Sequence, residues 1–145
     1  MKAYLGIGTN LGDRTANLSR AVALIDEQAG HVLACSSFME TEPWGFASDN
    51  TFLNAVVEID TPHTPHELLH ITQEIEREMG RSHKSINGLY SDRIIDIDIL
   101  LYGEENINEP DLTIPHPLMW QRDFVIEPLL EIAPHLKASA IYPRP

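Results

Sequence analysis

Apolar and polar residues alternate along four stretches of the chain, and this period of two predicts four β-strands. The stretches cover residues 3–8, 31–40, 52–60 and 92–102. In the third stretch Asn54 falls on the face opposite the apolar residues, so we expect its amide to lie on the side of the sheet away from the core.

Two segments have the three- and four-residue apolar spacing of amphipathic helices. The first runs through Leu18 and Ile25, with Asp13 placed to cap its start and Gly30 placed to end it. The second opens at residues 64–67, where a threonine and a glutamate form a capping box around a proline at the first helical position, and it ends at Gly80.

The resulting order, β-α-β-β-α-β, is typical of the split βαβ arrangement. We therefore predict the α+β fold class and a ferredoxin-like core, with an antiparallel sheet and the helices packed on one face. At 145 residues the chain is expected to form a single domain over 1–145. The other face is expected to be left free for loops and ligands, and an amphipathic segment at 119–132 is expected to cover part of the sheet.

The fourth strand has two carboxylates where a buried strand would have apolar residues. Asp96 and Asp98 must project to the same side, about 7 Å apart, while Ile95, Ile97, Ile99 and Leu101 are expected to line the opposite, core-facing side. Carboxylates in such a pair commonly hold Mg²⁺ together with substrate phosphates. The alternation by itself is equally compatible with a solvated face of an acidic protein.

The charge distribution narrows the choice of ligand. A net charge of −12 argues against nucleic acid as a partner, since that binding depends on neutralising phosphates. Of ten basic residues, four lie close to the two aspartates: Arg77, Arg81, Lys84 and Arg93. This cluster predicts that the protein binds a small polyanion together with a metal ion. Cations also stabilise helix C-termini, which is a second explanation for the cluster.

No apolar run is long enough to span a bilayer, so no membrane association is expected. The single cysteine, Cys35, cannot form an internal disulfide, and its place in a strand-like run predicts a buried, inert thiol. These features fit a cytoplasmic protein.

Several strings in the chain are specific in combination. They include residues 8–12, 41–45 and 52–55, then the D-R-x-I-D-I-D-I-L string at 92–100, and finally I-P-H-P at 114–117 followed by R-x-F at 122–124. Over nearly its whole length the chain resembles the 6-hydroxymethyl-7,8-dihydropterin pyrophosphokinase family of folate biosynthesis. The resemblance implies a ferredoxin-like α+β fold, in agreement with the element order.

The resemblance also implies a reaction: transfer of pyrophosphate from ATP to the hydroxymethyl group of the reduced pterin, which releases AMP. It implies two Mg²⁺ ions bound with ATP at Asp96 and Asp98, and catalysis by positioning and electrostatics. Arg81 and Arg93 would contact the phosphates. The catalytic residues implied are therefore Arg81, Arg93, Asp96 and Asp98. We expect the partners to be these two small molecules, and the protein to be a monomer.

The remaining family contacts carry over position by position. The ATP contacts implied are Gln73, Glu76, Arg81, His83, Lys84, Arg93, Thr113, His116 and Arg122. The pterin contacts implied are Thr41, Pro43, Trp44, Phe52, Asn54 and Phe124. Two loop positions depart from the family pattern, with His83 in place of a second arginine and Tyr90 in place of a tryptophan.

Two other hypotheses stay open at this point. A ferredoxin-like regulatory module could bind a nucleotide without turnover, and the acidic faces could serve as a protein-interaction surface. Neither accounts for the joint match of the aspartates, the arginines and His116.

Overall fold

A computed structural model describes residues 1–42, 51–80 and 94–138 of the chain. The strands are β1 (Lys2–Thr9), β2 (His31–Cys35), β3 (Met39–Thr41), β4 (Phe52–Asp60), β5 (Asp96–Tyr102), β6 (Ile107–Glu109) and β7 (Leu112–Ile114). The helices are α1 (Arg14–Gln28), α2 (Pro65–Glu78) and α3 (Asp123–Ile132), with 3-10 turns at Met119–Gln121 and Pro134–Ala138. Among these elements, no helix is long and apolar enough to cross a membrane.

The main sheet is antiparallel and has the strand order β2-β4-β1-β5. The short strand β3 pairs with the first residues of β4, and β2 pairs with its last residues. With β2 and β3 counted as one interrupted edge strand, the chain order is β-α-β-β-α-β. Together with the strand order, it confirms the predicted ferredoxin-like α+β core. The β6–β7 hairpin forms a separate two-stranded sheet that the sequence pattern did not predict.

Both predicted helix starts are confirmed in detail. The Asp13 side chain accepts a hydrogen bond from the Ala16 N–H at 3.1 Å and so satisfies one of the unpaired amides of α1. At α2 the Thr64 N–H donates to Glu67 Oε1 at 2.8 Å, and the Glu67 N–H donates to Thr64 Oγ1 at 3.2 Å. This reciprocal capping box begins the helix at Pro65.

Each face of the sheet packs against different helices. On one face, α1 and α2 bury side chains that include Leu18, Ile25 and Ile75 against Leu5 and Ile59 of the sheet. On the other face, α3 and the segments that flank it cover part of the sheet, as expected for residues 119–132. The cluster on this second face consists of Tyr4, Val56, Leu100, Leu101, Met119, Val125, Leu129, Ala133 and Leu136.

The predicted strand at 31–40 is in fact two short strands. The register of β2 on β4 shifts between Val32 and Ala34, and the Ser36 hydroxyl accepts from the Val56 N–H at 2.9 Å in place of a backbone carbonyl. Cys35 is exposed, so the expectation of a buried thiol was wrong. Partial desolvation of its sulfur, together with the nearby Glu131 carboxylate, raises the pKa of Cys35 and disfavours the thiolate.

One side-chain assignment on β5 was also wrong. Ile95, Ile97 and Ile99 do face the α1–α2 side of the sheet, but Leu101 packs on the α3 side beside Leu100. The cause is an irregularity in the pairing with β1, where the register shifts between Tyr4 and Leu5. An inserted residue of this kind reverses the alternation beyond it, and no local pattern marks its position.

Candidate active site

A cavity that opens to solvent lies over the sheet face that carries the two aspartates. Strands β1, β3, β4 and β5 and the start of α3 all contribute to it. Its lining consists of Gly6, Ile7, Gly8, Thr41, Glu42, Phe52, Asn54, Ala55, Asp96, Asp98, Leu100, Arg122, Phe124 and Val125.

The two aspartates line this cavity together, as their alternation predicted. In the β1–β5 ladder Asp96 lies opposite Gly8, and Asp98 lies opposite Gly6. A side chain at either glycine would project over the same face of the sheet as its partner aspartate. Because these residues are glycines, β1 places no side chain beside either carboxylate; Asn54 approaches the position at Gly8, and Leu100 approaches the position at Gly6.

Asn54 and Thr41 form a polar pair on one wall of the cavity. The Asn54 Nδ2 donates to Thr41 Oγ1 at 2.7 Å, and the Asn54 residue is only 6% exposed. This bond fixes which end of the amide points toward β3. Gly8 makes room for the other end, because a Cβ at Gly8 would lie 2.8 Å from Asn54 Oδ1.

Two aromatic rings and a guanidinium complete the cavity. Phe52 comes from the start of β4 and Phe124 from the first turn of α3. Arg122 is buried, and its guanidinium carbon lies 5.6 Å from the centre of the Phe124 ring, a cation–π distance. The cavity thus combines flat apolar surfaces and one cation with the two carboxylates.

His116 lies close enough to the cavity for two charged residues of the cavity, Arg122 and Asp96, to shift its pKa. Burial lowers the pKa of His116 to about 4, with a further lowering by Arg122 and an opposing effect from Asp96. The imidazole is therefore neutral at neutral pH. Its Nδ1 accepts from the Leu118 N–H at 3.2 Å, which assigns the remaining proton to Nε2.

Glu76 contacts the aspartate strand directly. Its Oε2 accepts a hydrogen bond from the Ile97 N–H at 2.8 Å, at the residue between Asp96 and Asp98. Gln73 is half-buried one turn earlier on α2, and Thr113 is half-buried on β7 opposite Asn108. Neither Gln73 nor Thr113 is among the residues that line the cavity.

Six of the predicted site residues lie outside the described part of the chain. They are Pro43, Trp44, Arg81, His83, Lys84 and Arg93. Their proposed roles rest on the sequence alone.

Seven cavity residues were absent from the predicted set: Gly6, Ile7, Gly8, Glu42, Ala55, Leu100 and Val125. The sequence contained a signal for at least two of them. Leu100 continues the same-face series of Asp96 and Asp98, and Val125 directly follows Phe124. Glu42 directly follows Thr41, but nothing in its local sequence marks it.

The string H-E-x-x-H at residues 66–70 has the spacing of a zinc peptidase site, but its side chains have other roles here. Glu67 takes part in the capping box of α2. His66 Nε2 lies 2.7 Å from Glu109 Oε2, and His70 Nε2 lies 3.7 Å from Glu74 Oε1. The glutamate that would act as general base in such a peptidase is therefore engaged in starting the helix.

Comparison with known proteins decides the family. A family model described as 7,8-dihydro-6-hydroxymethylpterin-pyrophosphokinase matches residues 4–134. The chain belongs to this pyrophosphokinase family. A relative from Porphyromonas gingivalis, named 2-amino-4-hydroxy-6-hydroxymethyldihydropteridine pyrophosphokinase, is 52% identical over 141 residues, which is 97% of this chain and 96% of the relative. The protein of the same name from Bacillus subtilis is 43% identical over 139 residues, 95% of this chain and 81% of the relative.

Solved structures support the family fold. The chain matches a Plasmodium falciparum HPPK-DHPS triple mutant with a TM-score of 0.71 and 18% identity over 92% of its length. The A437G form of the same Plasmodium protein matches with a TM-score of 0.68 and 20% identity. The chain spans 40% and 42% of these two solved chains. At this identity the likeness establishes the pyrophosphokinase fold and nothing finer.

Proposed function

We propose that this protein transfers the pyrophosphoryl group of ATP to the hydroxymethyl oxygen of 6-hydroxymethyl-7,8-dihydropterin, giving AMP and the pterin diphosphate in folate biosynthesis. The observation that carries the proposal is the 52% identity to a named pyrophosphokinase across 96% of that relative's length. The cavity supports it, because one space combines paired carboxylates with aromatic walls.

The pterin is assigned to the aromatic side of the cavity. Phe52 and Phe124 offer flat faces for a planar heterocycle, and offset stacking on such faces is favourable. Asn54 and Thr41 offer hydrogen-bonding groups to the polar edge of the ring. Pro43 and Trp44, which follow Thr41 in the sequence, are proposed to contact the pterin as well.

Asp96 and Asp98 are proposed to hold two Mg²⁺ ions bound jointly with ATP. The donor set fits, since both side chains offer hard carboxylate oxygens at one open cavity, and Mg²⁺ prefers oxygen ligands shared with phosphates. When bound, the ions supply charge neutralisation and orientation of the triphosphate. The backbone of β5, paired to β1, keeps the two carboxylates on one face.

The proposed chemistry needs no nucleophilic side chain. The pterin hydroxymethyl oxygen attacks the β-phosphorus of ATP, the bond from that phosphorus to the bridging oxygen of AMP breaks, and the hydroxyl proton leaves to solvent. The protein contributes alignment and electrostatic stabilisation. Arg81 and Arg93 are proposed to contact the transferred phosphates, assisted by His83 and Lys84.

The remaining ATP contacts are proposed from α2, from β7 and the segment after it, and from the cavity. Gln73 and Glu76 lie on α2, Thr113 and His116 lie on or after β7, and Arg122 lies in the cavity. A neutral His116 with its proton on Nε2 can donate a hydrogen bond to a phosphate oxygen without adding a charge.

The proposed setting is a cytoplasmic enzyme that acts as a monomer, with residues 1–145 as one domain. A single cysteine and the absence of an apolar run long enough to span a bilayer in the sequence fit this setting.

The decisive experiment is to incubate the protein with ATP, Mg²⁺ and the reduced pterin alcohol and to separate the nucleotides by chromatography. We expect AMP and the pterin diphosphate in equal amounts, and no AMP when the pterin is left out. Formation of ADP, or of no nucleotide product, contradicts the proposal. Binding of both ligands without turnover would favour a regulatory module instead.

A further inference from the structure

Strand β3 is a weakly held part of the pterin wall. It has three residues, lies off the main strand order and, among the residues that the structure describes, pairs with β4 alone, where Glu40 is opposite Leu53 and Thr41 is opposite Phe52. A three-residue ladder contributes few hydrogen bonds. Yet this ladder brings together Thr41 and Phe52, two residues that line the cavity.

A guanidinium from another element holds the ends of this ladder. Arg14 Nη1 donates to the Thr51 carbonyl at 3.1 Å and to Thr51 Oγ1 at 2.8 Å. Arg14 Nη2 donates to Glu40 Oε2 at 3.2 Å, and Thr51 Oγ1 donates to Glu40 Oε1 at 3.0 Å. Arg14, Glu40 and Thr51 thus form a closed ring of hydrogen bonds.

The ring is placed where it affects the pocket. Glu40 directly precedes Thr41, and Thr51 directly precedes Phe52, so the guanidinium spans the two backbone positions next to pocket residues. Thr41 in turn accepts the Asn54 amide hydrogen bond at 2.7 Å. A shift of β3 would therefore change the orientation of the Asn54 side chain as well.

The helix that carries Arg14 is well anchored to the sheet. Arg14 is the first residue of α1, which is capped by Asp13 and packed on the sheet through Leu18, Ala21 and Ile25, all fully buried. The Arg14 side chain is 30% exposed, so its contacts are partly shielded from solvent. The planar guanidinium can satisfy Glu40 and Thr51 together, whereas a lysine ammonium on a flexible stem is a single point charge.

We propose that Arg14 is a positioning residue for pterin binding: by bridging Glu40 and Thr51 it ties the β3–β4 ends, and with them Thr41 and Phe52, to helix α1. Arg14 touches neither substrate in this scheme. The inference rests on the proposed pyrophosphokinase function. It predicts that Arg14 supports binding of the pterin and not binding of ATP.

The test is a kinetic comparison of Arg14→Ala with the wild-type enzyme, at varied pterin and at varied ATP. The expected result is a rise of about five- to tenfold in KM for the pterin, with KM for ATP and kcat within about twofold of wild type. Arg14→Lys should recover only part of the loss. Arg20→Ala is the matched control, because Arg20 is exposed on the same helix, and it should match wild type.

Coupling within the ring gives a second readout. Glu40→Ala should also raise the pterin KM, and the Arg14→Ala/Glu40→Ala double variant should be no worse than the more affected single variant, since one loss already opens the ring. If Arg14→Ala does not fold, Glu40→Ala and Arg14→Lys carry the test. A wild-type pterin KM in the variants overturns the inference, and so does an equal rise in both KM values with a lowered Tm.

Direct pterin binding, followed by pterin fluorescence, separates this inference from the proposed function. An active wild type with unaffected variants overturns only the role of Arg14. Wild type that binds pterin but forms no AMP, with weaker pterin binding in Arg14→Ala, overturns the proposed reaction and supports the positioning role. A wild type that neither binds pterin nor forms AMP overturns both.

Discussion

Glu76 accepts a hydrogen bond from the Ile97 N–H at 2.8 Å, and this contact joins helix α2 to the strand between the two aspartates. Asp96 and Asp98 flank Ile97, so the bond fixes the backbone from which both carboxylates project. An edge strand such as β5 has one side without a strand partner in the sheet, and here a helix side chain supplies an acceptor for it.

Removal of the Glu76 carboxylate should lower kcat/KM for ATP. For Glu76→Ala we expect kcat/KM for ATP to fall about tenfold, because the Ile97 N–H loses its partner and β5 is less firmly held. Glu76→Gln should retain most activity, since the amide oxygen can accept the same bond. Glu78→Ala, two residues along at the exposed end of α2, is the control. Equal activity of the alanine and wild-type proteins would show that the contact is dispensable.

The metal role of the aspartates predicts a loss of turnover without a loss of fold. Asp96→Asn or Asp98→Asn should lower kcat by at least about 100-fold, because each removes an anionic ligand for Mg²⁺. Asp111→Asn, at an exposed position, should behave as wild type. Circular dichroism and Tm would check folding, and Mg²⁺-dependent ATP binding would be followed by calorimetry. Near-normal turnover in either aspartate variant refutes the metal assignment.

Space over Gly8 is a further requirement of the pterin pocket. A methyl group at this position would lie 2.8 Å from Asn54 Oδ1, closer than such contacts allow, so Asn54 must turn. Gly8→Ala should therefore raise the pterin KM about tenfold. Gly6→Ala is the matched control on the same strand face, because its Cβ would meet only the Leu100 side chain at 3.4 Å. A Gly8→Ala enzyme as active as Gly6→Ala would contradict the assigned role of Asn54.

His116 should make the fold sensitive to mild acid. Its folded-state pKa is about 4, below the ordinary value of 6.5, so below pH 6.5 the unfolded chain binds a proton that the folded protein does not. The contribution of His116 to stability is therefore present above pH 6.5 and is lost as the pH falls toward about 4.

Urea denaturation of wild type and His116→Asn across pH 4–7 would measure this effect. The free energy of unfolding of wild type should fall more steeply, by up to about 1.4 kcal/mol per pH unit, than that of the variant. His135→Asn, at an exposed position, should keep the wild-type slope. Parallel slopes for wild type and His116→Asn would show that His116 is not the group responsible.

Tyr4 and Glu58 form a buried pair on the α3 side of the sheet. The Tyr4 hydroxyl donates to Glu58 Oε2, and both residues are less than one-tenth exposed. Burial, reinforced by Glu58, raises the pKa of Tyr4 and keeps this donor protonated. Tyr4→Phe would leave a buried carboxylate without this donor, at a cost of about 2–3 kcal/mol.

Chemical denaturation of Tyr4→Phe, Glu58→Leu and the double variant would measure the coupling of this pair. The double variant should be more stable than Tyr4→Phe, since the unpaired carboxylate is gone. Additive losses in the double variant would show that the two side chains do not depend on each other.

The sequence was sufficient for features that depend on near neighbours. Asp13, Thr64 and Glu67 act within one helical turn, so their capping roles could be predicted and are confirmed. The common direction of Asp96 and Asp98 follows from strand geometry alone, since a two-residue repeat fixes the side of the sheet. The resemblance of the specific strings to the pyrophosphokinase family supplied the reaction.

Features that depend on how distant segments meet could not be predicted. The reversal at Leu101 follows from a register shift against β1, and at the break in the 31–40 stretch the Ser36 hydroxyl accepts from the Val56 N–H of β4. The Arg14 ring joins side chains 26 and 37 residues apart, and the Glu76–Ile97 bond spans 21. No local pattern encodes such distances.

By itself, then, the sequence determined the first two helices, their N-caps, the face of the aspartates and the family. Only the tertiary structure decided that these aspartates share a cavity with Asn54, Phe124 and Arg122, and that α1 and α2 hold its strands in place. The physical reason is the range of the interactions. Caps and alternation are satisfied by residues a few positions apart, whereas a cavity exists only where separate strands and helices pack against one another.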